Sequence, residues 1–267
     1  MLLRPGPLLQ PFVEALWATP RGRAVAPREH SLPTGAMHIA LRLDGAALRL
    51  YASADDTVGD TVSCAVVGGA RSTYCIKDTA TPTRSVGAVL RPGAARALFG
   101  CGAQELAGRH VALELLWGRD AARLLERVPE LDDPAAQIAL LDAALQSRLR
   151  PVRALHPHIA QAMREVAGGV RVSEVVASSG HSHRHFIAQF RDAVGLPPKA
   201  WARVVRLQKA LRELDRNPSC TDVALAAGFS DQAHFNREFR QFAGMTPRDY
   251  RRTGKHAPQH VPVGARE

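Results

Sequence analysis

The chain has 267 residues, of which 46% are hydrophobic, so it is long enough for two domains that each bury a core. Its net charge of +10 is divided unevenly. Residues 1–149 carry 16 Lys and Arg against 15 Asp and Glu, whereas residues 150–267 carry 19 against 10. The second part therefore holds a net charge of +9 and the first only +1. A strongly basic half favours contact with a polyanion, because clustered cations release the counterions condensed on phosphates.

A membrane is the competing polyanion, and the sequence argues against it. No run of about 18 apolar residues is present, which a membrane-spanning helix would need. Residues 1–7 lack the continuous apolar segment of a signal peptide. We therefore expect a cytoplasmic protein that has no membrane partner.

The four cysteines do not predict a disulfide framework or a zinc site. They are Cys64, Cys75, Cys101 and Cys220. None belongs to a C-x-x-C pair, and none has a histidine at zinc-ligand spacing. We expect reduced thiols in the core, and a redox or metal sensor built from Cys64 and Cys75 is the alternative.

Residues 1–150 predict an α+β domain in which strands precede helices. Short apolar or alternating runs that are separated by turn residues predict strands at residues 37–43, 47–51, 63–67 and 85–90. Helical patterns follow at residues 92–99, at residues 119–128 and after Asp133, which is placed to cap a helix that has Pro134 at its first position. This order indicates a β-rich domain, with a cupin-like arrangement as the candidate fold, and trailing helices.

The helix after Asp133 carries an apolar stripe. It consists of Ile138, Leu141 and Leu145. Such a stripe packs on its own domain or forms the seam of a homodimer. Near Pro151 the helical pattern breaks, so we expect a first domain at residues 1–150, an all-α second domain at 155–252 and a disordered tail at 253–267.

Two segments of the basic half repeat each other. Residues 172–198 can be laid over residues 220–247 if the second turn contains one additional residue. Each copy has a helix of small residues, a glycine at a tight turn, a serine placed to cap the next helix, and two phenylalanines four residues apart. The corresponding positions are Gly180 and Gly228, Ser182 and Ser230, Phe186 and Phe235, and Phe190 and Phe239. This is the pattern of a helix-turn-helix, whose second helix packs through its phenylalanines and leaves the opposite face for DNA. We term this second helix the reading helix of its unit.

The second copy resembles the signature of the AraC/XylS family of transcription regulators. The resemblance is carried by residues 222–232, 234–242 and 244–251, and it extends over roughly residues 155–252. It implies two helix-turn-helix units joined by a long helix, here Pro198 to about Asp215. About 18 residues at about 1.5 Å each span about 27 Å, comparable with the roughly 34 Å between major-groove segments one turn apart. Residues 89–100 and 115–118 more faintly resemble the small β-rich sensor domain of one subgroup, which implies effector sensing or dimerisation.

The candidate DNA-contacting residues lie on the two reading helices and at helix starts. They are Ser182, His183, Arg184, Arg191, Thr221, Ser230, Gln232, His234, Asn236, Arg237 and Arg240. Arg237 can bond the O6/N7 edge of guanine, and Gln232 or Asn236 the N6/N7 edge of adenine. A solvated helix face is the alternative, and His234 could equally pack or cap.

The first reading helix differs chemically from the second. Ile187 and Ala188 stand where Asn236 and Arg237 stand in the second copy, and neither can form a hydrogen bond to a base edge. Direct readout would fall to His183 and Arg184 or to apolar contact with a thymine methyl group. We therefore expect the first unit to contribute more to positioning than to sequence choice.

Phosphate contacts are expected from arginines and from backbone N–H groups at helix starts near Ser173 and Thr221. The arginines are Arg191, Arg203, Arg206, Arg240, Arg251 and Arg252. His181 and His185 are four residues apart, but His181 precedes the predicted helix, so we expect no metal site.

No sequence pattern supports catalysis. The chain has no nucleophile elbow, no H-E-x-x-H, no P-loop and no G-x-G-x-x-G fingerprint, so we expect neither an enzyme nor a bound cofactor. The favoured interpretation is a transcription regulator that binds double-stranded promoter DNA, recruits or blocks RNA polymerase, and responds to a small-molecule effector. An enzyme with an appended DNA-binding half and a dimeric regulator without an effector are the alternatives. Candidate pocket residues in the first domain, for which core packing is the other interpretation, are Trp17, His38, Arg42, Tyr51, Arg71 and Tyr74.

Overall fold

The computed structural model describes residues 1–22, 26–151, 155–216, 219–253 and 259–263. The strands are β1 Leu2–Leu3, β2 Val13–Thr19, β3 Arg28–Ser31, β4 Met37–Arg42, β5 Arg49–Tyr51, β6 Asp60–Thr61, β7 Ala65–Gly68, β8 Cys75–Asp78, β9 Ser85–Leu90, β10 His110–Ala112 and β11 His260–Pro262. The helices are α1 Ala94–Phe99, α2 Ala103–Leu106, α3 Glu114–Trp117, α4 Arg119–Arg127, α5 Pro134–Ser147, α6 Pro157–Ala167, α7 Val172–Ser178, α8 His183–Val194, α9 Pro198–Leu214, α10 Cys220–Ala227, α11 Gln232–Ala243 and α12 Pro247–Arg252.

The strands form two antiparallel sheets, in the orders β1-β2-β9-β4-β7-β10 and β11-β3-β8-β5-β6. Side chains along a strand alternate between its two faces. Along β4, Ile39 and Leu41 are fully buried, whereas His38 and Arg42 are only partly buried. The buried face of the larger sheet meets helices, and the other face looks across a cavity to the smaller sheet. This is the predicted β-rich fold with helices behind it.

Helix α5 covers the larger sheet. The Asp133 carboxylate accepts the backbone N–H groups of Ala135 at 3.0 Å and Ala136 at 3.2 Å, and Pro134 is the first helical residue, as predicted. The stripe of Ile138, Leu141 and Leu145 is at most 2% exposed, and α5 packs on β2 and β9. The stripe therefore covers its own sheet, and the alternative of a dimer seam on this helix is wrong.

The second half contains the two predicted helix-turn-helix units, α7–α8 and α10–α11. The long helix α9 joins them and ends one residue before the predicted Asp215. The phenylalanines of both reading helices are at most 1% exposed. Gly180 and Gly228 have φ values of 70° and 87°, the left-handed region that the inter-helix turns require. Among the described residues, no helix is both long and apolar enough to cross a membrane.

The chain's end contradicts the prediction of a disordered tail. Residues 260–262 form β11, which pairs with β3 and buries Val261 completely. The backbone N–H of Leu32 donates to the Gln259 carbonyl at 2.8 Å, and His260 Nδ1 lies 2.7 Å from the Glu29 carboxylate. An edge strand has unpaired backbone groups, and pairing them does not require an apolar period in the added segment. Residues 254–258 and 264–267 lie outside the described residues.

Candidate DNA-binding interface and inter-sheet cavity

The start of the second reading helix, α11, is capped by Asp231 and not by the predicted Ser230. The Asp231 carboxylate accepts the backbone N–H of His234 at 2.7 Å. The additional residue in this turn moves the cap one position along the chain. Ser230 instead donates its hydroxyl to Asp231 and lies 3.0 Å from His234 Nδ1. The His234 ring also packs edge-on against Phe229, at 5.5 Å between ring centroids. His234 therefore makes the packing contacts that were the alternative to a base contact.

The face of α11 opposite its phenylalanines is open. Gln232, Asn236, Arg237 and Arg240 are all exposed. The Thr221 hydroxyl on α10 donates to the Gln232 amide oxygen at 2.9 Å, so two candidate residues from separate helices meet. This contact occupies the amide oxygen and leaves the amide N–H groups for an acceptor on DNA.

Three of the arginines expected to contact phosphate instead hold the helices together. Arg203 on α9 forms a bidentate pair with Glu238 on α11, with N–O distances of 2.8 and 2.6 Å. Arg206 lies 4.0 Å from the same carboxylate, and Arg251 donates to the Leu214 carbonyl at 3.2 Å. The contacts of Arg203 and Arg206 fix α11 against α9, and that of Arg251 fixes α12 against the end of α9. Of the arginines expected to contact phosphate, Arg191, Arg240 and Arg252 are exposed.

The first reading helix, α8, has a different environment. Ser182 caps it as predicted, accepting the backbone N–H of His185 at 3.3 Å. His183, Arg184 and Arg191 are exposed, but Ile187 is half-buried against the core. α8 therefore presents cations without the amide and arginine pair that α11 offers.

One flank of α8 is docked on the first half of the chain. Arg96 on α1 forms a bidentate pair with Asp192, in which the Nε–Oδ2 distance is 2.6 Å. The backbone N–H of Gly93 donates to the Ala193 carbonyl at 2.9 Å. The first unit is thus held by the β-rich half through a helix that also carries candidate DNA contacts.

The second unit meets the β-rich half at the end of α11. Buried His30 lies with Nδ1 2.8 Å from the Ala243 carbonyl and stacks on Tyr74 at 4.3 Å between centroids. A Cβ at Gly244, whose φ is 72°, would come within 2.7 Å of the Tyr74 ring. Tyr74 therefore belongs to this contact between the two halves. Burial lowers the pKa of His30, and its hydrogen bond to Ala243 opposes the shift.

Four histidines surround the start of the first unit. They are His156, His158, His181 and His185. Ring centroids of successive members are 4.2, 4.4 and 5.3 Å apart. No group of three such side chains in the described part of the chain has an arrangement that could hold a metal ion.

A cavity of about 320 Å³ lies between the two sheets. Four predicted pocket residues line it, namely Trp17, His38, Arg42 and Arg71. Tyr51 does not, because its hydroxyl donates to Asp78 at 2.6 Å beneath the Arg28 guanidinium. Sequence reasoning missed several lining residues, which are Cys75, Lys77, His110, Gln259 and His260. Gln259 and His260 could not be identified as lining residues from the sequence, because residues 253–267 were predicted to be disordered.

The cavity is lined by arginine and lysine side chains, and the imidazoles of His38 and His110 are neutral. Arg71 lies 2.9 Å from His110 Nδ1, and the His38 and His110 ring centroids are 5.7 Å apart. Burial, followed by the charge of Arg71, lowers the pKa of His38 to about 4 and that of His110 to about 2. Glu29 lies just outside, 2.5 Å from Lys77. Burial would raise the pKa of Glu29, but the His260 hydrogen bond and the Lys77 charge outweigh it and lower the pKa to about 2.

Two family models match the chain. A helix-turn-helix domain covers residues 175–253, and a domain of unknown function, DUF6597, covers residues 2–112. The chain is also similar to the solved structure of ToxT from Vibrio cholerae, with 8% identity, a TM-score of 0.44, and coverage of 88% of this chain and 96% of ToxT. That similarity is too low to support an inference about the site.

Curated relatives match the helix-turn-helix half. The HTH-type transcriptional regulator MtrA of Neisseria gonorrhoeae is 33% identical over 84 residues, which are 31% of this chain and 28% of MtrA. The probable transcription factor PqrA of Proteus vulgaris is 32% identical over 93 residues, which are 34% of this chain and 76% of PqrA. The match thus spans under a third of MtrA but most of PqrA. By this match and the two helix-turn-helix units, the chain belongs to the AraC/XylS family of transcription regulators.

Proposed function

We propose that this protein regulates transcription by binding a specific double-stranded promoter sequence through α8 and α11. The observation that carries the proposal is the open face of α11, where Gln232, Asn236, Arg237 and Arg240 are exposed on a helix braced from behind by Arg203. An amide and an arginine side by side on one helix suit the adenine and guanine edges of the major groove. Regulation then takes place in the cytoplasm, through recruitment or blocking of RNA polymerase.

The roles of individual residues are part of the proposal. Arg237, Asn236 and Gln232 contact base edges, and Arg240 contacts phosphate. His183, Arg184 and Arg191 contact the other half of the site, mainly at phosphates. Backbone N–H groups at the start of α10, near Thr221, add a phosphate contact. Ser182, Ser230 and His234 shape the turns that hold the two helices.

We further propose that the β-rich half is an effector sensor and not an enzyme. The tail strand supports the coupling between the halves. Its residues Gln259 and His260 line the inter-sheet cavity, and the Gln259 amide donates to Gln208 on α9 at 3.2 Å. Gln208 in turn donates to the Pro33 carbonyl beside β3 at 2.7 Å. A ligand that moved β3 or β11 would therefore move the helix that joins the two units.

Selection of duplexes from a random-sequence pool by the full chain tests the DNA-binding proposal. We expect one sequence to be enriched and to bind with an affinity that falls steeply as salt rises. Enrichment of no sequence would contradict sequence-specific binding. Adding a metabolite library to the selected duplex then tests the sensor, and turnover of any metabolite would favour the enzyme alternative.

A further inference from the structure

We propose that the inter-sheet cavity binds a small organic anion, whose acid group lies at Arg71 and His110 and whose apolar body lies against Trp17. The inference deepens the proposed sensor function and rests on it, since it gives the effector a chemical class. It is carried by the shape, the lining and the charges of the cavity.

The cavity is formed by the inner faces of both sheets. Its apolar wall comes mainly from strands of the larger sheet and consists of Trp17, Met37, Val66 and Val89, with Leu32 and Leu48 beside it. Its volume of about 320 Å³ is at the lower end of the range of about 300–1,000 Å³ found for small-molecule sites. The space therefore suits a small ligand that has an apolar body.

Two glycines leave room for the aromatic rings of the cavity. A Cβ at Gly87 on β9 would lie 2.3 Å from the Trp17 ring, and one at Gly68 on β7 would lie 2.1 Å from the His38 ring. Glycine in a strand marks a place where another group approaches the backbone closely. The Trp17 and His38 rings lie flat over the sheet at these places, which keeps the space above them open.

The strand register separates an apolar end from a cationic end. Trp17 on β2 lies beside Gly87 on β9, whereas Gly68 on β7 pairs with both His38 and His110. Strands β2 and β10 are separated by β9, β4 and β7. With about 4.8 Å between neighbouring strands, Trp17 on β2 and His38 on β4 lie two strand spacings, or about 10 Å, apart across the sheet. A ligand with a polar head and an apolar body can therefore use both.

Arg71, at the His110 end of the cavity, has no carboxylate partner among the described residues. Arg71 contacts the neutral imidazole of His110, and Arg42 donates to the carbonyl oxygens of Ala46 at 2.5 Å and Thr81 at 3.5 Å. Lys77 is paired with Glu29 and Arg42 has the charges of Asp78 and Glu29 near it, but in the described part of the chain no carboxylate forms an ion pair with Arg71. Among the residues that the structure describes, neither an aspartate nor a glutamate lines the cavity. A partly buried cation without a counter-charge is costly, and an anionic ligand would supply that charge.

Calorimetric titration of the full chain with matched acids and amides tests this proposal. The probes are phenylacetate and phenylacetamide, hexanoate and hexanamide, and cyclohexanecarboxylate and its amide. We expect at least one acid to bind at least tenfold more tightly than its amide. Arg71→Gln should remove that preference. Arg109→Gln is the matched control and should keep the preference, because Arg109 is exposed and directly precedes His110 in the chain.

If Arg71→Gln is not folded, His110→Phe replaces it, with an expected loss of at least threefold in acid affinity, because His110 lies 2.9 Å from Arg71 at the proposed acid site. The proposal is overturned if every amide binds as tightly as its acid, if no acid binds, or if the preference survives both substitutions. Ligand binding is measured by calorimetry in the absence of DNA. Loss of acid preference in a protein that still selects a duplex would therefore refute the ligand class alone. An acid preference in a protein that selects no duplex would refute the DNA-binding proposal and leave the ligand class standing.

Discussion

The two reading helices have the same internal design and different outward chemistry. In both, a pair of buried phenylalanines faces inward and a glycine turn precedes the helix. α11 then exposes Asn236 and Arg237, and its contact with His30 of the β-rich half lies at its last turn. α8 has Ile187 and Ala188 at the corresponding positions, and its flank is fixed to α1 by the Arg96–Asp192 pair.

This difference indicates that the two copies of the helix-turn-helix have different roles in DNA binding. The buried residues of a helix-turn-helix determine how the helix is presented, and the exposed ones determine what it recognises. The repeat preserved the first set and not the second. We therefore propose that the second unit reads bases, and that the first positions the protein on DNA and contacts the β-rich half.

Arg237→Ala should have the largest effect on DNA binding. We expect it to weaken binding to the specific site by about 1–3 kcal/mol and to relax base preference in the half read by α11, because a bidentate contact to guanine is lost. Ala188→Ser at the corresponding position of α8 is the matched control and should change affinity little. Titration against the specific and a random duplex measures both. Equal weakening on the two duplexes would reassign Arg237 to phosphate contact.

Arg240→Ala should have a smaller and uniform effect. Arg240 and the corresponding Arg191 of α8 are both exposed in the last part of their helices. If each contacts phosphate, its loss weakens specific and random duplexes alike and reduces the slope of log affinity against log salt by about one unit. Helix content by circular dichroism serves as the control, because Arg240 adjoins buried Phe239. A change confined to the specific duplex would contradict the assignment.

The contact that holds the second unit to the sensor half should weaken in acid. Burial lowers the pKa of His30 below its ordinary value of 6.5, so the unfolded chain binds a proton more readily than the folded one. The stability that neutral His30 confers is therefore complete above about pH 6.5 and is lost as the pH falls below that value. We expect the Tm of His30→Gln to fall less than that of the wild type between about pH 7 and pH 5. Parallel pH profiles would exclude this role.

Arg96→Gln should have the smallest effect on stability. The two side chains of the Arg96–Asp192 pair are 54% and 27% exposed, so the loss should be below about 1 kcal/mol. The informative readout is local: amide hydrogen exchange should become faster in α8 and remain unchanged in α11. Faster exchange in both helices would show that the two units do not dock separately.

The parts predictable from sequence were those set by local rules. Gly180, which tolerates the left-handed conformation of the turn, and Asp133 with Pro134, which cap and begin a helix, were read from local rules, and the phenylalanine spacing gave the buried faces of α8 and α11. The cap at Asp231 was missed by one residue because two adjacent polar residues both suit that position.

The parts that were missed depend on contacts between distant segments. Strand β11 forms because its backbone pairs with the edge of β3. No pattern within residues 259–263 predicts this pairing. Arg203 could not be distinguished from a phosphate ligand until α9 was placed beside Glu238. Four of the six candidate pocket residues line the cavity, but Tyr51 and Tyr74 find partners elsewhere, in Asp78 and His30.

The most direct test of this division of labour is the base preference at each position of the duplexes that the full chain selects. We predict strong preference in one half of the site and weak preference in the other. We also predict that selection by Arg237→Ala loses the strong half alone. Strong preference in both halves of the wild-type site, or an unchanged profile for the variant, would contradict the assignment of base reading to α11.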